Sequence, residues 1–359
     1  MGYFRFLLAS LVLASHAGVA PVFTGVAAVE CFFVLSGFYI QLILREQYAH
    51  QAHWRRKFLE SRLLRIFLPY WVVALAILLI SSALHILTGQ KPLFLFEMLR
   101  AHPWQAGTWA ALFSDLFILG GEHLKLLRLA HGCEWPVWRA LIIPPAWTLG
   151  IELIFYALAP FLLLCRARML IAVTALCALG KYALLHGRAG AVFLIPCADG
   201  LLNGIVPLEL GVFTAGALGY RFYARYLQPR PPLRHPFLAY AGAAAGVSLM
   251  MALTMKGLTL SPAAAMTAFY ACACATALFA PLLFKISRAV RKDRRLGDLS
   301  YPFYLCHYYV LSLCQALPAS RFVIFLAAEA ATLLCAALLA KTVEIPLRRY
   351  RHRHFRSGG

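Results

Sequence analysis

Charge is scarce in this chain. Of its 359 residues only 13% are Asp, Glu, Lys or Arg, against 62% hydrophobic residues and a mean hydropathy of +0.73. Soluble domains carry about a quarter charged residues, so a water-soluble globule is excluded. Acidic residues are scarcer still, 14 against 34 basic, for a net charge of +20. The basic residues sit in short clusters between apolar runs, and no RNA- or DNA-binding motif accompanies them. That arrangement follows the positive-inside pattern of membrane proteins and excludes a nucleic-acid partner. There is no Walker-type loop, dinucleotide fingerprint or His-Glu-x-x-His spacing, which makes catalysis without a metal the default expectation. Internal repeats, coiled-coil heptads and low-complexity tracts are also missing, as is a soluble domain at either end.

Ten cysteines are present, but Cys31, Cys165, Cys177, Cys272, Cys274, Cys306, Cys314 and Cys335 lie in or beside apolar runs. A free thiol there behaves as a small hydrophobe. Only Cys133 and Cys197 fall in candidate loops, and Cys272 and Cys274 point to different sides of a helix, so neither a disulfide framework nor a metal pair is expected.

A membrane helix needs about 20 apolar positions. Ten such spans can be drawn, near residues 3–23, 27–45, 66–87, 147–165, 168–187, 205–224, 236–256, 263–285, 299–317 and 321–341. The first resembles a secretory signal, but a second apolar stretch follows directly, and a retained helix is the better reading. With the N-terminus inside, the inner loops and tail collect 25 of the 34 basic residues. The expected fold is therefore an all-α polytopic bundle of about ten transmembrane helices with both termini cytoplasmic. The transmembrane domain covers residues 1–348 and a short basic tail residues 349–359. The long stretch from Gly89 to Ala146 falls outside, and within it Trp109 to Leu119 is apolar but too short to span, as a re-entrant or interfacial helix would be.

Ionisable groups inside apolar spans are costly and mark candidate functional positions. They are Arg5, His16, Glu30, Glu152, Asp199, Glu209, His307, Glu329 and Glu344. Arg5 and His16 are eleven positions apart, roughly 16 Å along one helix and on the same face.

Arg5 and His16 with ten residues between them, followed by the run Gly25 to Phe38 containing Glu30 and Ser36-Gly37-Phe38, resemble the opening of the acyltransferase-3 family of membrane acyltransferases. The resemblance continues at Arg62-Leu63-Leu64-Arg65 with Pro69, at Trp147-Thr148-Leu149-Gly150-Ile151-Glu152, at Ser300-Tyr301 with Tyr304-Leu305-Cys306-His307, and at Val343-Glu344-Ile345-Pro346. Two places depart from the pattern. Glu30 replaces the usual Asp, and Leu153 stands where many members have a second acidic residue.

The resemblance implies an integral membrane O-acyltransferase of the bacterial inner membrane. It would move an acyl group, acetyl in the first instance, from cytoplasmic acyl-CoA to a hydroxyl of an extracytoplasmic or lipid-linked saccharide. Arg5 and His16 match the family's essential pair, and Glu152 its first carboxylate. An alcohol is a poor nucleophile at neutral pH, so imidazole suits the task. His16 is the candidate base or transient acyl carrier, with Glu152 or Glu30 to fix its tautomer. Arg5, Arg62 and Arg65 are candidates for the phosphates of coenzyme A. Trp147, Tyr304 and His307 are candidates for substrate contact, and Ser36 and Gly37 read as packing residues. Without a fused esterase-like domain, the expected partner beyond donor, acceptor and bilayer is a second copy or a separate transfer protein. The rival reading is a secondary transporter or flippase, for which buried charges along a pathway serve equally well.

Overall fold

The computed structural model describes residues 1–20, 22–89, 93–121, 140–186, 206–231, 236–242, 245, 246, 249, 262–288 and 290–356. The regular elements labelled below are all helices: α1 (Gly2–His16), α2 (Val22–Ile43), α3 (Trp54–Thr88), α4 (Phe94–Ala101), α5 (Ala106–Phe117), α6 (Trp147–Leu162), α7 (Ala167–His186), α8 (Val206–Phe222), α9 (Pro262–Ser287), α10 (Arg291–Cys314), α11 (Arg321–Leu339) and α12 (Ile345–Arg351). No strand occurs among the described residues, in keeping with the all-α expectation. Four helical stretches there, Thr24–Tyr48, Trp54–Thr88, Pro144–Leu162 and Arg321–Phe355, are long and apolar enough to cross a membrane. Cys133, Cys197, Asp199 and most of the expected span at 236–256 lie outside the described residues.

The centre of the bundle is α2. It pairs with α1, α8 and α9, while α10 pairs with α1 and α11. The α2–α8 crossing is set by two glycines. A Cβ on Gly37 would run into the backbone carbonyl of Phe213, and one on Gly216 into that of Val34, so each helix carries its glycine where the other's backbone passes. Next to this crossing, the Phe213 ring stacks on Phe33 and Phe155, with centroids 4.8 and 4.0 Å away.

The first helix is shorter than the expected span. It stops at His16 because Gly18, at φ +70°, turns the chain in the left-handed region that glycine adopts freely. At its other end the Asp293 carboxylate of α10 accepts the amides of Gly2 at 2.7 Å and Tyr3 at 2.9 Å, together with the Met1 amine. Burial alone would raise the Asp293 pKa, but these bonds outweigh it and hold the group below the ordinary carboxylate range. The two ends of α1 are thus fixed independently, and Arg5 and His16 with them.

Helix α5, which contains most of the short apolar stretch, touches α3 with its C-terminal end. Trp71 donates its Nε1–H to the Leu116 carbonyl at 3.2 Å, and Tyr70 donates to Asp115 at 3.4 Å. Thr88, the last residue of α3, is roughly 26 Å further along the helix axis, from the rise of an α-helix. Asp115 also accepts the Ile142 amide at 3.0 Å, fastening the returning chain just before α6. Four helices end in π-turns, at Leu44–Tyr48, Tyr223–Leu227, Ala340–Glu344 and His352–Arg356. The third of these faces the site described next.

Candidate active site

A cavity of about 790 Å³ opens between α1, α2, α3, α6, α10 and the Ala340–Glu344 π-turn. Eight basic and four acidic side chains line it, so its wall is net positive and suited to a polyanionic ligand. Arg5 and Arg65 both face it, as do Arg288, Arg294, Arg295 and Lys341. Arg5 sits against the Tyr39 ring, 5.9 Å from its centroid. Pro69 lies inside α3 at this level. It removes one intrahelical bond, and the neighbouring Ile66 carbonyl accepts the Tyr301 hydroxyl at 2.9 Å.

Glu152 is held on the cavity wall by two hydroxyls. Ser36 donates to its Oε1 at 2.6 Å, and Tyr156, one turn further along α6, donates to the same oxygen. All three line the cavity with Arg5 and Arg65. Further along the same wall, Tyr304 donates its hydroxyl to the Pro145 carbonyl at 2.8 Å and lies 2.8 Å from the Thr148 hydroxyl.

Behind Tyr304 is a pair of histidines. His307 is fully buried, and its Nδ1 lies 2.6 Å from the Tyr304 carbonyl. A carbonyl can only accept, so this nitrogen carries the proton. Its Nε2 is buried with no hydrogen-bond partner among the described residues. The His16 ring, exposed at the end of α1, lies 5.4 Å from His307 between centroids, and 5.2 Å from Tyr308 edge to face. One residue of α10 therefore borders both regions: the Tyr304 side chain faces the cavity and its carbonyl holds His307.

The same chain matches the family model described as an acyltransferase domain over residues 1–341 of its 359. It belongs to the acyltransferase-3 family. With its long apolar helices, it is a membrane acyltransferase. Comparison with curated proteins and with solved structures gives no match.

The acyltransferase distributes the residues singled out in its sequence over several places. Arg5, Arg65, Glu152 and Tyr304 meet at the cavity, and His16 meets His307 beyond it. Glu30 is elsewhere. It is buried against Lys181 at 3.3 Å, and Lys181 in turn pairs with Glu209 at 2.8 Å, an ionic cluster joining α2, α7 and α8. Neither Glu30 nor Glu152 bonds His16, so the expectation that one of them fixes its tautomer finds no contact to rest on. Arg62 is fully buried beneath the cavity lining, its guanidinium 5.8 Å from the Phe58 ring. Trp147 opens α6, half-buried against the core and off the lining. Glu329 accepts the Ser10 hydroxyl at 2.6 Å between α1 and α11.

Several cavity residues were not singled out. Ser36 read as packing, yet its hydroxyl is on Glu152. Tyr156 follows the Trp147–Glu152 motif by one turn and belongs to the same resemblance, whereas Tyr39, Lys341 and the arginines Arg288, Arg294 and Arg295 are aligned by the tertiary fold. The last group read only as an orienting charge cluster, and nothing in its spacing separates the two roles. Among the described residues no group of three His, Cys, Asp or Glu is placed to hold a metal ion.

Proposed function

We propose that the protein is an O-acyltransferase that takes an acyl group, acetyl in the simplest case, from acyl-CoA and passes it to a hydroxyl of an extracytoplasmic or lipid-linked saccharide. The observation that carries this reading is the net-positive cavity bounded at its deep wall by Tyr304, with the His16–His307 pair directly behind. Coenzyme A brings several phosphate charges, which Arg5, Arg65 and the arginines near the mouth suit by charge-assisted hydrogen bonds. The acyl end would reach inward past Glu152 toward Tyr304. In the reaction the thioester C–S bond breaks, an ester C–O bond forms, and the hydroxyl proton is balanced by one taken up by the thiolate. His16, the exposed imidazole of the pair, is the base or transient acyl carrier for the acceptor.

In this reading the arginine end of the cavity faces the cytoplasm of a bacterial inner membrane. About ten spans cross the bilayer, and both termini are inside. The charge asymmetry of the sequence supports that orientation. Family membership favours it over the transporter reading, which no separate observation supports.

The test uses the full chain in proteoliposomes with labelled acetyl-CoA. The reading expects CoA release and label transfer that His16→Ala reduces by about 10²-fold or more, the usual scale for loss of a general base. Full transfer by that variant would remove His16 from the chemistry.

A further inference from the structure

We infer that His307 positions His16: its Nε2 accepts the N–H of the His16 imidazole and so decides which His16 nitrogen keeps its lone pair for the acceptor hydroxyl. This rests on the reading of His16 as base.

The case begins with the Tyr304 carbonyl. Because it accepts from Nδ1 at 2.6 Å, the neutral His307 ring must present its lone pair at Nε2. That nitrogen is buried and has no donor among the described residues. A buried acceptor without a donor is unfavourable, and a catalytic role is one reason a native structure keeps one. The neighbouring imidazole is that of His16, with centroids 5.4 Å apart and the ring planes inclined by only 32°. Two imidazoles in this relation can bring ring nitrogens together edge to edge by a small rotation about the His16 side-chain bonds. Tyr308 closes the other side of His16 with its ring at 90°.

Among the described residues the candidate carboxylates are engaged elsewhere. Glu152 is taken by Ser36 and Tyr156, Glu30 by Lys181, and Glu329 by Ser10. The resulting order is backbone carbonyl, His307, His16, acceptor. It has the polarity of a hydrolytic triad in which a second imidazole, anchored by a carbonyl, stands where such sites carry an acid. A neutral imidazole has one donor and one acceptor nitrogen. With the His16 donor turned inward to His307, its acceptor nitrogen is turned to the exposed side of the ring. During transfer that nitrogen takes the hydroxyl proton, the oxygen bonds the acyl carbon, the C–S bond breaks, the departing thiolate takes one proton from solvent, and the His16 imidazolium returns one to solvent, so that protons balance and the base is regenerated. His307 touches neither donor nor acceptor.

The distinguishing measurement is the His16 tautomer. In the full-length protein, labelled with ¹⁵N-histidine in lipid bilayers, the His16 signals are assigned by their loss in His16→Gln. The wild-type ring is expected in one tautomer, with its N–H bonded to His307 Nε2. His307→Leu should give a tautomer mixture, and His307→Gln, which keeps an acceptor oxygen, should restore a single form. CoA release from acetyl-CoA provides the kinetic counterpart. His307→Leu is expected to lower kcat by about 10²-fold with KM for acetyl-CoA unchanged, and His307→Gln to stay within about tenfold of wild type. An unmixed His16 tautomer in His307→Leu, or protonation of His307 at Nε2, overturns the inference. If His16→Ala is inactive while His307→Leu keeps the wild-type rate, the positioning role alone fails. If His16→Ala is itself fully active, the base assignment beneath it fails first.

Discussion

Glu152 is the side chain whose charge and shape can be separated most cleanly. Glu152→Gln keeps the volume and leaves an acceptor oxygen for Ser36 and Tyr156, but removes one negative charge from a wall shared with Arg5 and Arg65. A hydrogen bond to a charged acceptor contributes about 1.5–3 kcal/mol and one to a neutral acceptor about 0.5–1.5 kcal/mol. For two donors on one oxygen the loss is about 2–3 kcal/mol, which corresponds to about 30- to 150-fold at 1.36 kcal/mol per tenfold. If the placement of Glu152 matters to the reacting acyl group, that factor appears in kcat. Donor binding should move the other way. Removing a carboxylate from the wall it shares with Arg5 and Arg65 takes away a charge that competes with phosphate for them and tightens coenzyme A several-fold, an effect on the order of 1 kcal/mol at protein-like dielectric. The assay pairs calorimetric titration of CoA into nanodisc-embedded protein with thiol release from acetyl-CoA. Turnover within twofold of wild type would refute the reasoning. So would a CoA affinity that falls in parallel with turnover, since that would make Glu152 a binding or folding residue.

Two further outcomes test the frame that holds the site. Gly37→Ala and Gly216→Ala should each lower the thermal midpoint in detergent by an amount equivalent to at least about 1–3 kcal/mol, because the added Cβ meets backbone that cannot rotate away; Gly242→Ala, where a Cβ meets nothing within 4 Å, is the control and should be neutral. Lys181→Met should cost about 3–5 kcal/mol and the yield of monodisperse protein, because Glu30 and Glu209 are left buried together; yield should return when Glu30→Gln and Glu209→Gln are added, and a well-behaved single variant would argue that the cluster is dispensable.

The helices were legible because apolar runs and their basic punctuation are one-dimensional signals. The end of α1 was not. Its apolar residues continue beyond His16, and only the left-handed turn at Gly18 stops the helix. Periodicity also placed Arg5 and His16 on one face, which the cavity and the histidine pair reflect at its two ends. What resisted reading was partner choice. Arg62 and Arg65 are one helical turn apart, yet the rotation of α3 sends Arg65 to the cavity and Arg62 into the core. Glu30, which is buried, and Glu152, which is part-buried, are both carboxylates within apolar helices next to aromatic residues. What separates them is Lys181 from one helix and Ser36 from another, contacts formed across 151 and 116 residues of chain. No local pattern encodes such pairings.

Tyr304 borders both the cavity and the histidine pair, and this bears on how the reaction can be organised. Its hydroxyl has the Pro145 carbonyl and Thr148 as partners, while its carbonyl fixes the proton of His307. Displacing the side chain gives up two neutral hydrogen bonds, about 1–3 kcal/mol in all, a cost that thermal motion meets in a minor population. Displacing the carbonyl would unwind a turn of α10 and release the histidine. Access between the regions can therefore change by rotation of the Tyr304 ring while the tautomer of His307 stays fixed. Placing both functions on one residue keeps the two imidazoles in order whichever way the Tyr304 ring is turned.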